Sequence, residues 1–451
     1  MNFLAKLEVE MSKTENTKIK GKFFVLIISL IILVVYFLTN RFFPSINFGS
    51  LELYVLFGIL TLFGGMFIAA IIEILVALFS RKKQERSKRI GGIMITLLII
   101  VIILGSFLLG SQWNAHTPPI LGEDGKPMEG SIASIEKVKL GGVDQWLIIR
   151  GHDVNNPVLL FLSGGPGASE AARVLRFNQE LEKHFTVVIW EQRGCGKSYP
   201  SFNPKSVLTL DQYETDLIEL SELLRNRFNQ EKIYLVGHSW GTVIGTLAAQ
   251  SRPDLYYAYV GTAQMVNVLE TDILIYDMVM DHSIKTGDTA FVKTLETQGK
   301  PPYLGRSPIQ PYSTLFGREY AIFEVPNIKN EDYRRNGDIL LLMLKQPEYG
   351  WLDRVYYLLG LMNTFNVVYP QLQDLDLRET NTQYDLPYYM VLGRHDMNNP
   401  SQIPVDYFER IQSPNKQLIF FEESGHGMIW EEADLFHKLM VEKVLVETQT
   451  K

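Results

Sequence analysis

One short stretch narrows what this 451-residue chain can fold into: Ile233-Tyr234-Leu235-Val236 running straight into Gly237-His238-Ser239-Trp240-Gly241. An apolar strand-like run enters a Gly-x-Ser-x-Gly turn, and small residues follow at Thr242, Gly245, Thr246, Ala248 and Ala249, as in a helix packed closely on a sheet. Strand, sharp turn with serine at the apex, then helix is the pattern of a nucleophile elbow. The serine backbone is strained there, so positions two before and two after it must be nearly free of side chain. Gly237 and Gly241 meet that demand, and Gly245 lets the helix approach the sheet.

A serine nucleophile needs a base and an acid. Downstream, Tyr388 to Leu392 reads as a buried strand ending in Gly393-Arg394-His395-Asp396, and Lys416 to Phe421 as another strand followed by Glu422-Glu423-Ser424-Gly425-His426-Gly427. The order Ser239, Asp396, His426 is the triad order of the α/β hydrolases, with each group in a loop beyond the carboxyl end of a strand. His426 would take the serine proton and return it to the leaving group; Asp396 would hold the imidazole and stabilise its charged form. His238 is expected to be structural, His395 to point away, and Glu422 and Glu423 to be a solvated strand end.

Upstream, Val158 to Leu162 is a strand leading into Ser163-Gly164-Gly165-Pro166-Gly167. So little side-chain bulk lets backbone N–H groups reach a reacting carbonyl. The N–H groups of Gly165 and Trp240 are the expected oxyanion donors.

Four motifs in order give a specific resemblance. Ser163 to Gly167, Glu191-Gln192-Arg193-Gly194-Cys195-Gly196-Lys197-Ser198, Gly237 to Gly241 and Gly393 to Asp396 resemble the proline iminopeptidase branch of the α/β hydrolases, over about residues 130 to 445. Ser163 stands where that branch has His, and Glu191 where it has Asp. The resemblance implies cleavage at the amino end of short peptides and acidic residues of a helical cap that recognise a free amine; the triad itself needs no cofactor. Glu319, Glu324, Glu331 and Glu348 are the candidates for that role.

Ser131 to Val138 and Val143 to Arg150 suggest an antiparallel pair around Gly141-Gly142. Leu210 to Phe228 places Tyr213, Leu217, Leu220, Leu223 and Leu224 on one helical face. Strands alternating with such helices predict a mostly parallel sheet covered on both sides, built from residues 131–262 and 386–451. Residues 263–385 are too long for a structureless loop and read as a helical cap, its aromatics forming its own core with a minority lining the cleft.

The first 110 residues differ sharply. About 23–39, 53–79 and 90–109 are apolar enough to predict three transmembrane helices, with 111–130 a linker; the first lacks a small-x-small cleavage site and reads as a retained anchor. Basic residues crowd the tail before the first span and the Arg81-Lys82-Lys83…Arg89 loop, so the amino terminus is expected in the cytoplasm of a multi-pass cell-membrane protein, with the catalytic domain outside. Glu73 is the one ionisable residue within a span, with no evident partner in the others, and reads as snorkelling toward the Arg81 cluster.

Residues 1–110 hold 12 Lys and Arg against 6 Asp and Glu; the remainder is acidic, and the whole chain carries −7. An acidic soluble region argues against nucleic-acid partners, while the juxtamembrane cations suit anionic lipid headgroups. The single cysteine, Cys195, permits no intrachain disulfide and no cysteine metal site. The expected protein is a membrane-anchored serine hydrolase acting on a small peptide or acyl substrate. Aminopeptidase, esterase or lipase, and non-turnover ligand receptor remain its possible functions, and oligomeric state is open.

Overall fold

The computed structural model describes residues 20–38, 49–79, 83–203 and 208–449. The chain divides into two compact units with a boundary at Ala115–His116.

The amino-terminal unit is helical: α1 (Lys20–Leu38), α2 (Gly49–Phe79) and α3 (Lys83–Asn114). Leu33, Tyr36 and Phe37 of α1 pack with Ile99, Ile103 and Phe107 of α3, while apolar residues such as Ile31 and Val101 face outward more than half exposed. Among the described residues two stretches, Lys20–Leu38 and Arg86–Asn114, are long and apolar enough to cross a membrane. The expected second span, 53–79, lies in helix α2, whose apolar stretch among the described residues is Gly64–Phe79. The basic stretch expected to set the orientation lies partly outside the described residues. Helix α3 runs five residues past the expected end of the third span and takes in the start of the expected linker.

Glu73 is not left to snorkel. Lys22 lies inside the first turn of α1, not in the tail, and its Nζ sits 3.7 Å from Glu73 Oε1 while donating to Gly92 O at 3.0 Å. An apolar window hides such a pair because one partner sits at the window's edge.

The second unit is built on an eight-stranded sheet in the order β1-β2-β4-β3-β5-β6-β7-β8. The hairpin β1 (Ile132–Leu140) and β2 (Val143–Gly151) turns on Gly141-Gly142, both at positive φ, as the two-residue loop requires. Strand β2 pairs antiparallel with β4 (Thr186–Glu191). From there β3 (Val158–Leu162), β5 (Ile233–His238), β6 (Tyr256–Thr262), β7 (Tyr388–Gly393) and β8 (Lys416–Phe421) run parallel. The inner parallel strands are buried on both faces, which accounts for their unbroken apolar runs.

Helix α4 (Ala171–Phe177) follows β3, α5 (Leu210–Arg227) precedes β5 and α6 (Trp240–Ser251) leaves it. Thr209 caps α5 by accepting the Gln212 N–H, and Tyr213, Leu217, Leu220 and Leu224 are buried as the periodicity predicts. Between β6 and β7 the chain is helical, with α7 (Val268–Thr286), α8 (Thr289–Gln298), α9 (Ile309–Glu319), α10 (Glu331–Asn336), α11 (Ile339–Lys345), α12 (Trp351–Val368) and α13 (Leu377–Thr380). Its aromatics pack mainly on one another: Phe365 stacks on Tyr369 at 4.3 Å, and Tyr312 meets Tyr369 edge-on at 4.7 Å.

One buried ion pair fixes the loop after β4. The Arg193 guanidinium grips Asp216 of α5 through two bonds of 2.9 and 3.0 Å, and both side chains are buried. Gln145 and Gln212 complete the carboxylate's partners. Removing one member leaves the other charge buried and unpaired. Asp216→Ala is therefore expected to destabilise the fold by about 3–5 kcal/mol, measured by denaturant unfolding; a loss below about 1 kcal/mol would contradict this account of the loop.

Candidate active site

Ser239 sits at the carboxyl end of β5 and opens α6 with φ 51° and ψ −120°, the left-handed strain an elbow requires. A Cβ on Gly241 would stand 2.2 Å from Leu162 O, and one on Gly237 2.7 Å from Gly241 O. The two glycines therefore let α6 start against the end of β3. Thr242 closes the turn, its N–H and hydroxyl both donating to Ser239 O.

Asp396 is buried in the turn after β7, and His426 lies in the turn after β8. His426 Nδ1 is 3.2 Å from both Asp396 oxygens, and the Asn399 N–H donates to Asp396 Oδ1 at 2.7 Å. Ser239 and His426 line one cavity of about 400 Å³, together with Gly164, Gly165 and the aromatics Phe316 and Phe365. The loop after β3 approaches the serine closely: a Cβ on Gly164 would lie 3.2 Å from Ser239 Cβ. Trp240, as first residue of α6, has no intrahelical acceptor for its backbone N–H. The structure thus places the predicted nucleophile, the predicted base and Gly165 on one cavity, with Trp240 next in chain to the serine and Asp396 behind the histidine.

A family model described as alpha/beta hydrolase fold matches residues 157–283. A probable aminopeptidase, YbaC, of Bacillus subtilis is 32% identical over 312 residues, covering 69% of this chain and 96% of that protein. The chain is an α/β hydrolase of the proline iminopeptidase branch. A proline iminopeptidase of Thermoplasma volcanium is 23% identical over 311 residues, covering 68% of this chain and 94% of its own. Among solved structures, a proline iminopeptidase-related protein of Thermus thermophilus matches with TM-score 0.48 and 20% identity, over 70% of this chain and 98% of that one.

Two of the four candidate glutamates of the hydrolase line the cavity. Glu319 ends α9, and Glu324 closes a wide turn over Tyr320–Glu324 whose hydrogen bonds span five residues. In a regular α-helix side chains five apart diverge; the wider turn brings them nearer to one face. Both are fully buried. Glu324 Oε2 accepts the His426 N–H at 2.8 Å, but its Oε1 and both Glu319 oxygens have no hydrogen-bond partner. Asn398 and Glu324 lie near Glu319 without reaching hydrogen-bond geometry. Burial, reinforced by the Asp396 charge, pushes the Glu319 carboxyl up to about 8 and Glu324 well above the carboxylate range. The other two candidates lie elsewhere: Glu331 is exposed and pairs with Arg335, and Glu348 is buried away from the cavity.

Sequence reasoning missed Glu170. Its Oε2 accepts the Gly164 N–H at 2.8 Å and its Oε1 meets His238 Nδ1 at 2.9 Å, while His238 Nε2 faces His426 O at 2.9 Å. Both ring nitrogens are thereby engaged. His238 is thus structural, as expected, and ties the glycine loop to the His426 loop. Two motif residues also find their purpose. Gln192 accepts from Trp240 Nε1 and donates to Ser163 O; Glu191 accepts from Ser169, Tyr349 and the Lys197 N–H. Cys195 is buried and its thiol is pushed up by burial and by Glu191, which argues against a nucleophilic role. Glu422 pairs with Arg394 at the surface, as a solvated strand end should.

Burial opposes protonation of His426, but Asp396 outweighs it and raises the imidazole to about 9. Asp396→Asn removes the charge that favours the imidazolium. The His426 pKa is expected to fall from about 9 toward the ordinary 6.5, followed by NMR titration of the ring protons. An unchanged titration would mean that Asp396 does not govern this histidine.

Proposed function

We propose that this hydrolase is a membrane-anchored serine aminopeptidase that removes the amino-terminal residue from short peptides. One observation carries the reading: two buried carboxyls with unpartnered oxygens, Glu319 and Glu324, line the cavity that holds Ser239 and His426. An unpaired buried acid is costly unless a ligand completes it. An ammonium group supplies the missing donors and charge. The printed names of the curated relatives, aminopeptidase and proline iminopeptidase, support the same substrate class.

With the substrate amine between these carboxyls, its first carbonyl lies at Ser239. The serine Oγ attacks the carbonyl carbon, and His426 Nε2 takes its proton. Asp396, on the other ring nitrogen, stabilises the imidazolium. The N–H groups of Gly165 and Trp240 donate to the oxyanion. Collapse breaks the C–N bond, His426 gives its proton to the leaving amine, and water hydrolyses the acyl-enzyme by the same steps reversed.

The proton balance sets the pH dependence. In the empty site His426 is charged below about 9 and Glu319 neutral below about 8. Catalysis needs the neutral base, and amine binding needs at least one carboxylate, so both active forms grow as pH rises. For a free-amine prolyl anilide, kcat/KM is expected to climb between about pH 6 and 9. A flat profile over that range would refute the assignment. In the same assay Ser239→Ala should abolish turnover. Glu324→Gln should cost about 10- to 100-fold in kcat/KM, the worth of a charge-assisted hydrogen bond. The N-acetylated anilide should be a poor substrate; turnover of a short acyl ester without anilide turnover would make the protein an esterase instead.

The same proposal places α1, α2 and α3 across the membrane, with the amino terminus cytoplasmic and the catalytic unit outside. The two strongly apolar helices and the basic residues Arg86, Lys88 and Arg89 support it. Cys195, the sole cysteine, is buried, so single introduced cysteines report cleanly. Glu129→Cys should react with an impermeant thiol reagent in intact cells and Gln84→Cys only after lysis; the opposite pattern would invert the topology.

A further inference from the structure

The cavity also carries a cation that the reaction does not use. Arg173, in α4, lines it beside Gly164, Gly165 and Glu170. Its guanidinium lies over the Trp430 ring at 5.1 Å and the Tyr333 ring at 5.9 Å, and its Nε donates to Gly337 O at 3.3 Å. Stacking of this kind holds the plane of the group without consuming its donors. The two terminal nitrogens have no hydrogen-bond acceptor, and no carboxylate comes within ion-pair distance among the described residues.

The nearest compensating charge is already committed. Glu170, one helical turn earlier, spends one oxygen on His238 and the other on the Gly164 N–H. Arg173 thus keeps its two terminal nitrogens without acceptors on a half-buried wall, where a planar anion binds a guanidinium through two parallel bonds.

We infer that Arg173 is a carboxylate subsite, and that the preferred substrate is a short free peptide whose own carboxyl-terminal carboxylate docks there while its amine docks at Glu319 and Glu324. This rests on the aminopeptidase reading and narrows it. The substrate is then a zwitterion held at both ends, with the scissile amide at Ser239 between them. Hydrolysis adds one water across that amide and needs no other reactant. A cavity of about 400 Å³ suits such a small ligand. Peptides continuing past the subsite place a neutral amide against Arg173 and lose the ion pair.

The test compares three substrates on the full-length protein in detergent: Pro-Gly, its carboxamide Pro-Gly-NH₂, and the prolyl anilide. The first two share the amine and the scissile bond and differ only in the terminal charge. Wild type should favour Pro-Gly over the carboxamide by about 10- to 100-fold in kcat/KM, chiefly through KM. In Arg173→Met that ratio should collapse toward one, and Arg173→Lys should recover part of it. A purely structural Arg173 would lower both substrates in proportion and leave the ratio intact, which overturns the subsite. Equal turnover of both peptides by wild type overturns it too. Anilide cleavage without discrimination removes only the subsite; inertness toward all three removes the aminopeptidase reading and the subsite with it.

Discussion

Everything at this site depends on how closely the start of α6 is pressed against the end of β3. The Leu162 carbonyl lies where a Gly241 side chain would begin, and the Gly241 carbonyl occupies the space of a Gly237 side chain. That contact forces Ser239 into left-handed backbone and lifts it above the sheet. It also brings the glycine loop after β3 up to the serine, so that Ser239 and that loop are placed by one packing event. The surrounding polar bonds hold this arrangement: Gln192 spans from the Trp240 indole to Ser163, and Glu170 with His238 links the glycine loop to the His426 loop.

The sheet, its inner strands and the turns that carry Ser239, Asp396 and His426 were legible in the sequence because each rests on local rules. Burial on both faces makes strands read as apolar runs, and an elbow demands glycine at fixed spacings. The helix Leu210–Arg227 and the Gly141-Gly142 hairpin obey the same kind of rule. The carboxyls that line the cavity do not. Glu319 and Glu324 face the cavity only because the chain widens into a five-residue turn between them, and nothing in Tyr320 to Glu324 signals that change of period. Glu331, a short distance along the chain and equally plausible as a letter, ends on the surface. Arg173 and Glu170 were invisible for a related reason: a short helix after a glycine loop carries no motif that distinguishes inward charges from outward ones.

The amino-terminal helices show the opposite failure. Apolar windows find the segments but not the partners at their edges, so Lys22 counted as tail and Glu73 as solitary, whereas the two face each other. A hydropathy window averages a single pair away.

The crowding of acids around His426 has a consequence for the end of the reaction. Burial, reinforced by the charge of Asp396, favours the neutral forms of Glu319 and Glu324 in the empty site. A peptide carbonyl enters without charge, and its ammonium relieves the repulsion. Hydrolysis turns that same carbonyl into a carboxylate in the cavity that Glu319 and Glu324 line, so the site that welcomed the substrate opposes the acid it has made. On the proposed reading the chemistry generates its own expulsion force, and weak product inhibition by the free amino acid is the observable that would reveal it.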